Sequence, residues 1–170
     1  MPKRYGFVLL LAALPVAAMA AEILHVSGTG AQRDIACATG QDVSISGRGH
    51  RLALTGPCGE VEIRGSGHVV SFDTARSLIV SGIDNEARGG KAGRLSVDTT
   101  RNTVSASIGV DVGASDIAVA GADQTVDITL TGPAALAVHG TRNRILWQAA
   151  TGVPAPTVEI SGVDNRAARR

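Results

Sequence analysis

A ten-residue pattern recurs through this chain at steps of about nineteen residues, and that recurrence leaves few folds open to it. The segments VSISGRGHRL (43–52), VEIRGSGHVV (61–70), LIVSGIDNEA (78–87), LSVDTTRNTV (95–104), IAVAGADQTV (117–126), LAVHGTRNRI (136–145) and VEISGVDNRA (158–167) align without gaps. They read aliphatic, any, aliphatic, any, Gly, any, any, amide or His, any, aliphatic, and LHVSGTGAQR (24–33) is a degenerate earlier copy. The glycine column runs Gly28, Gly47, Gly65, Gly82, Thr99, Gly121, Gly140 and Gly162. Eight short coils are implied, and the coil with Thr99 in place of glycine is expected to differ locally.

Within each unit the apolar period is two, β-branched residues dominate and glycine interrupts, so helix is excluded and strand is expected. Val43 and Ile45, Val61 and Ile63, Leu78 and Val80, Leu95 and Val97, Ile117 and Val119, Leu136 and Val138, and Val158 and Ile160 fall on one face, with polar or small residues between them except at Ile79. A second alternating strand comes after the turn at LAL from Leu52, VSF from Val70, VDITL from Val126 and ILW from Ile145. A two-sheet sandwich also alternates. The column register favours stacking instead, since parallel coils about 4.8 Å apart place like residues over one another. The expected fold is all-β, a single-domain right-handed parallel β-solenoid, its hand taken from the rule for parallel crossovers.

Composition agrees with an aliphatic core. Aromatic residues make up 2% of the chain, and 21 glycines recur without the period of collagen. Residues 1–20 read as a signal peptide: Lys3 and Arg4 precede an apolar stretch from Phe7 to Ala18, and Ala18-Met19-Ala20 forms a small-residue cleavage site. The solenoid domain is then 21–170. Cleavage takes the net charge from +1 to −1 and removes Tyr5 and Phe7. A near-neutral chain with almost no aromatics lacks both the cationic surface and the stacking platforms of a nucleic-acid binder. The apolar stretch is too short to span a membrane, so an exported protein, periplasmic or extracellular, is expected.

Three positions after the glycine column stand His50, His68, Asn85, Asn102, Gln124, Asn143 and Asn165, expected to form a structural turn ladder that passes hydrogen bonds along the axis. The units VSISGRGHRLALTGPCG and VEIRGSGHVVSF, with an upstream Cys37, resemble the secreted bacterial proteins and lipoproteins that carry domain of unknown function 3060. That resemblance implies a repeat fold and brings no established activity or catalytic residues. Cys37 and Cys58 are 21 residues apart where the local coil step is 19, which puts them on neighbouring coils at nearly one corner. A structural disulfide is expected in an oxidising compartment, with free or reactive thiols as the alternative.

No residue set rises to a catalytic, cofactor or metal assignment. His50 and His68 share a column but offer two ligands without a third. Asp84, Asp123 and Asp164 raise calcium binding, yet the GGxGxD string is absent and side-chain bonds to turn backbone are the plainer reading. Glu62 and Asp98, two coils apart on the outer face, match the separation of an inverting glycosidase pair only as chance among scattered carboxylates allows. The stretch EARGGKAGR (86–94) reads as a loop replacing the second strand of its coil, and QAATGVPAPT (148–157) as another excursion; both are places for binding or for tolerated insertion. No regular threonine array marks an ice-binding face.

The functional expectation is an exported non-enzymatic module, structural or binding, in the cell envelope. The alternative is an enzyme or accessory factor acting on envelope polysaccharide, for which two or more convergent carboxylates beside Arg94 or Lys91 are required. The expected partner is an envelope component or a glycan, or a second copy of the chain joined through the coil ends, with neither nucleic acid nor a membrane span.

Overall fold

The computed structural model describes residues 22–170, so the signal-peptide reading of 1–20 lies outside the described residues. The chain winds into an all-strand parallel β-solenoid of eight coils with three sides. The first side is built from β1 (Leu24–Val26), β3 (Gln41–Ile45), the second halves of β4 (Arg51–Ile63), β5 (Val69–Val80) and β6 (Glu86–Val97), then β8 (Ser115–Val119), β10 (Ala134–Val138) and β12 (Thr157–Ile160). The second side stacks β2 (Gln32–Ala36), the first halves of β4, β5 and β6, then β7 (Thr103–Ile108), β9 (Thr125–Leu130), β11 (Arg144–Ala149) and β13 (Arg166–Arg169). A short third side carries Cys58, Ala75 and Ala92 in register, continued by Ile108, Leu130 and Ala149.

The alternation read from sequence becomes an interior. Val43 pairs with Val61, Val61 with Leu78, Leu78 with Leu95, Leu95 with Ile117, and Ile117 with Leu136, all parallel and all buried. Each such aliphatic side chain removed from water contributes about 1.5–3 kcal/mol, and parallel in-register stacking keeps every one of them over its equivalent. Among the described residues, no helix is long and apolar enough to cross a membrane.

Phe72, 3% exposed, fills the interior of the second side. Its partner in the next coil is Gly89, and Gly89-Gly90 form a bulge where three residues of β6 span two of β7. The segment EARGGKAGR is therefore strand and not a loop: Glu86 through Lys91 pair with β5, and Ala87 and Ala92 are fully buried. Alternation is lost there because Gly89 and Gly90 lie against the backbone of the coil below: a Cβ at Gly89 would overlap Phe72 O, and one at Gly90 would overlap Asp73 O. The excursion expected at 148–157 is present over 150–156, and another lies at 109–114, where Val112 is 91% exposed.

Gly82 shows why the turn column is glycine. Its φ of 104° is a conformation that L side chains rarely adopt, and a Cβ there would overlap the carbonyl oxygen of Gly65 in the coil below. Thr99 does not change the coil that carries it, contrary to the expectation: its φ is 78° and the parallel bridges Ile83 to Thr100 and Thr100 to Ala122 run through unchanged. Asp98 Oδ1 accepts the Thr99 N–H at 2.6 Å, a local bond that helps hold the strained turn.

The ends differ from the middle. Val158 and Ile160, inward in the last coil, are 40% and 45% exposed. On the second side an arginine occupies an inward column at each end: Arg33 is paired with Leu52, and Arg169 with Trp147. Charges at inward positions of an edge strand oppose in-register extension.

Candidate functional site

The seven turn residues stand in one column inside the first corner, six of them buried and Asn165 half-buried. Each bonds across coils as well as within its own. Asn102 accepts the Asn85 N–H at Oδ1 (3.0 Å) and donates from Nδ2 to Asp98 O in its own coil (2.7 Å) and to Gly82 O in the preceding one (3.0 Å). Gln124 accepts from Asn102 N, Asn143 from Gln124 N, and Asn165 from Asn143 N, so the same link repeats coil after coil. These bonds satisfy backbone N–H groups that the turn removes from the sheet ladder.

The two histidines use the same geometry. His50 Nδ1 faces the Ala31 N–H (3.0 Å) and His68 Nδ1 faces the His50 N–H (3.1 Å), while their Nε2 atoms lie 3.0 Å from Ser46 O and 2.9 Å from Arg64 O. Accepting at Nδ1 and donating at Nε2 requires the neutral ring. The rings stack with centroids 4.9 Å apart. Burial, with the neighbouring His50 adding to it, lowers the pKa of His68 from its ordinary value. Both nitrogens of each ring are committed to backbone, which leaves no lone pair directed at a metal. Among the described residues no group of three His, Cys, Asp or Glu side chains is placed to hold one.

One residue earlier stands a second column, of which the sequence reading singled out only Asp84, Asp123 and Asp164. Gly30, Gly49, Gly67, Asp84, Arg101, Asp123, Arg142 and Asp164 all adopt φ between 55° and 67°. Arg101 clasps Asp84 through Nε and Nη2 (2.7 and 2.9 Å), and Arg142 clasps Asp123 in the same way (2.7 and 2.7 Å). These hydrogen bonds hold the Asp84 and Asp123 carboxyls below the usual carboxylate range and raise both guanidinium groups. Asp84 and Asp123 thus face arginines on the next coil, where bonds to turn backbone were expected. The alternation D, R, D, R, D at steps of 17, 22, 19 and 22 residues was the available signal.

Cys37 and Cys58 form a disulfide between neighbouring coils, Cα atoms 5.1 Å apart, at the third side. Such a bond fits an oxidising environment. It ties the first coil, whose strands β1 and β2 are the least buried of the N-terminal half, to the long strand β4.

The outer surface offers shallow hollows. One of about 290 Å³ on the third side is lined by Arg76, Lys91, Asp111, Gly93, Gly109 and Ala75 among others, and its carboxylate Asp111 is bonded to Lys91 itself at 3.3 Å. Another, of about 260 Å³ near the first coils, gathers His25, Asp42, Glu60 and Glu62. Asp42 Oδ1 there accepts Glu60 N at 2.7 Å and Arg76 at 3.1 Å, and Glu62 pairs with Arg64. Asp98 is absent from that hollow; it stands in the next outward row, two coils above, with Ile79 and Ser96 in the Glu62 column. Glu62 and Asp98 therefore do not converge. Both volumes lie at or below the low end of small-molecule pockets, and Asp42, Glu62 and Asp111 in them are bound to cations while Glu60 is not.

No curated protein and no solved structure matches the chain. Residues 45–102, the coils that hold His50, His68, Asn85 and Asn102, match the family described as protein of unknown function (DUF3060), the family that the repeat units resemble.

Proposed function

We propose that the protein is an exported, non-enzymatic β-solenoid that serves as a binding or structural module of the cell envelope. The observation that carries this reading is that every buried turn residue and several of the surface acids are engaged in scaffold bonds. The buried histidines and amides are bonded to backbone, and Asp42, Glu62, Asp84, Asp111 and Asp123 are each bonded to a cation. A general acid or base needs a proton-transfer group free to meet substrate. The buried disulfide supports an oxidising compartment beyond the cytoplasm. The enzyme alternative asks for convergent carboxylates beside Lys91 or Arg94, and the hollow at Lys91 contains one, tied to Lys91.

Pull-down of tagged protein from an envelope extract, with a glycan-array screen alongside, tests the proposal. Saturable capture of one envelope component without its turnover is the expected result. Release of shortened saccharides from the captured material would overturn it in favour of the enzyme. Joining of copies at the coil ends belongs to the same proposal and is confined to the first side, where the inward residues Val158 and Ile160 are exposed, since Arg33 and Arg169 oppose it on the second; a monomer by sedimentation at high protein concentration would remove that part.

A further inference from the structure

Six of the thirteen arginines among the described residues stand in an ion pair. Arg64 pairs with Glu62, Arg76 with Asp42, Arg88 with Glu86, Arg101 with Asp84, Arg142 with Asp123 and Arg170 with Asp127. In the last two coils two unpaired arginines are stacked directly on one another. Arg144 on β11 and Arg166 on β13 are direct register partners on the outward face, adjacent parallel strands that stand about 4.8 Å apart. Their backbones are pinned by bonds to Gln124 O and Asn143 O, both 2.8 Å, so the strands cannot slip to separate the charges. Among the described residues no carboxylate lies within ion-pair distance of Arg144, Arg166 or Arg169. Like charges directly opposite one another destabilise a sheet.

The three arginines border one hollow of about 280 Å³ whose floor is Leu146 and Ala168. Arg169 is steadied over the Trp147 ring, its guanidinium carbon 5.8 Å from the centroid. Asp127, the carboxylate of the preceding coil in the Leu146 column, is engaged by Arg170 at 3.0 Å. The hollow therefore gathers three guanidinium groups around a small apolar patch, none of them ion-paired. Guanidinium forks match carboxylate and phosphate oxygens two at a time.

We infer that the hollow between β11 and β13 binds a saccharide carrying closely spaced oxyanions, with Arg144 and Arg166 clasping the anionic groups and Leu146 and Ala168 lying under the C–H face of a sugar ring. This rests on the proposed module function and names its ligand class. A nucleic-acid strand is disfavoured, since the one aromatic ring at the site, Trp147, is covered by Arg169 and gives no platform for a base. An anionic lipid surface is disfavoured because the exposed apolar residues of the last coil, Val158 and Ile160, belong to the first side, whereas the arginines lie on the second.

The test titrates the purified protein with polygalacturonate, with neutral dextran and with inorganic pyrophosphate, at several salt concentrations, by calorimetry. Polygalacturonate is expected to bind saturably, with affinity falling as salt rises, and dextran not to bind. Arg144→Gln and Arg166→Gln should each weaken binding about tenfold or more, Arg166→Lys should restore part of it, and Arg48→Gln, on an exposed turn outside the hollow, should leave it unchanged. Circular dichroism on each variant checks the fold. Binding that survives both glutamine substitutions overturns the site while leaving the module function in place. Binding of pyrophosphate without polygalacturonate overturns the saccharide assignment. Failure of every anion here, together with no captured component in the envelope extract, overturns both.

Discussion

Replacing Asn102 by leucine removes one rung of the turn ladder at nearly constant volume, and its cost can be worked from the three bonds it makes. The Asn85 N–H loses its acceptor in a buried position, a penalty of about 1–3 kcal/mol. Gly82 O keeps a second partner, the Thr100 N–H at 3.0 Å, and Asp98 O belongs to an exposed residue, so those two losses are nearer about 0.5 kcal/mol each. The sum is about 3 kcal/mol for Asn102→Leu. At the last rung, Asn165→Leu removes the same kinds of bond beside solvent, and about 1 kcal/mol is expected because water replaces what is lost. Solenoids unfold by parts, so the assay reads a single site: hydrogen exchange of the Asn85 amide should quicken by about a hundredfold in Asn102→Leu, the equivalent of about 3 kcal/mol of local protection. Urea unfolding followed by circular dichroism gives the global counterpart. Unchanged Asn85 exchange, or equal losses for the two substitutions, would refute the reasoning, since either result means the rung does not satisfy that N–H.

Gly82→Ala combines a forbidden φ with overlap of the Gly65 carbonyl, and should cost about 3 kcal/mol or more; a melting temperature within a degree of the parent would show that the coils can separate at no cost. Reduction of the Cys37–Cys58 bond opens a loop of 21 residues and should remove about 3 kcal/mol, seen as a lower melting temperature in reducing buffer and as proteolytic nicking confined to the first coil; identical melting with and without reductant contradicts it. His68 has its folded pKa depressed below the unfolded value, so its contribution is complete above about pH 6.5 and declines as pH falls from there toward the folded pKa, because the unfolded chain takes up a proton that the buried ring refuses. Melting temperatures should drop between pH 7 and pH 5, and His68→Asn, which installs the side chain used by the neighbouring coils, should flatten that slope; an equal slope in the variant would place the proton elsewhere.

Period, column and glycine spacing carry most of the fold. Alternation alone assigns Val61, Leu78 and Leu136 to the interior, where they are buried, and the near match between the coil step and the separation of Cys37 and Cys58 pairs the two cysteines. The departures from expectation have physical causes. The segment 86–94 looks like a loop because its strand abandons alternation at Gly89 and Gly90, which lie too close to the backbone of Phe72 and Asp73 in the preceding coil to carry a Cβ, neighbours that lie 17 residues away in sequence. Thr99 leaves its turn undisturbed because it sits at a φ of 78°, beside the 80° of Gly121 and below the 94° to 109° of the other glycines in the column, with Asp98 Oδ1 on its N–H. The Arg144 and Arg166 pair was not legible in the sequence, since nothing in a string of residues says that two arginines lack an acid.

What the sequence determined by itself is the winding: side chains that alternate in polarity and recur at one interval can be kept dry only by stacking, and glycine marks where each coil must turn close to the one below. What only the tertiary structure decided is which polar atoms face each other across coils. A hydrogen bond or ion pair depends on direction over a few ångströms, and that direction is set by the register between strands, not by the spacing within one. The ladder bonds, the Asp–Arg clasps and the unpaired guanidinium groups at the last coils all belong to that second class.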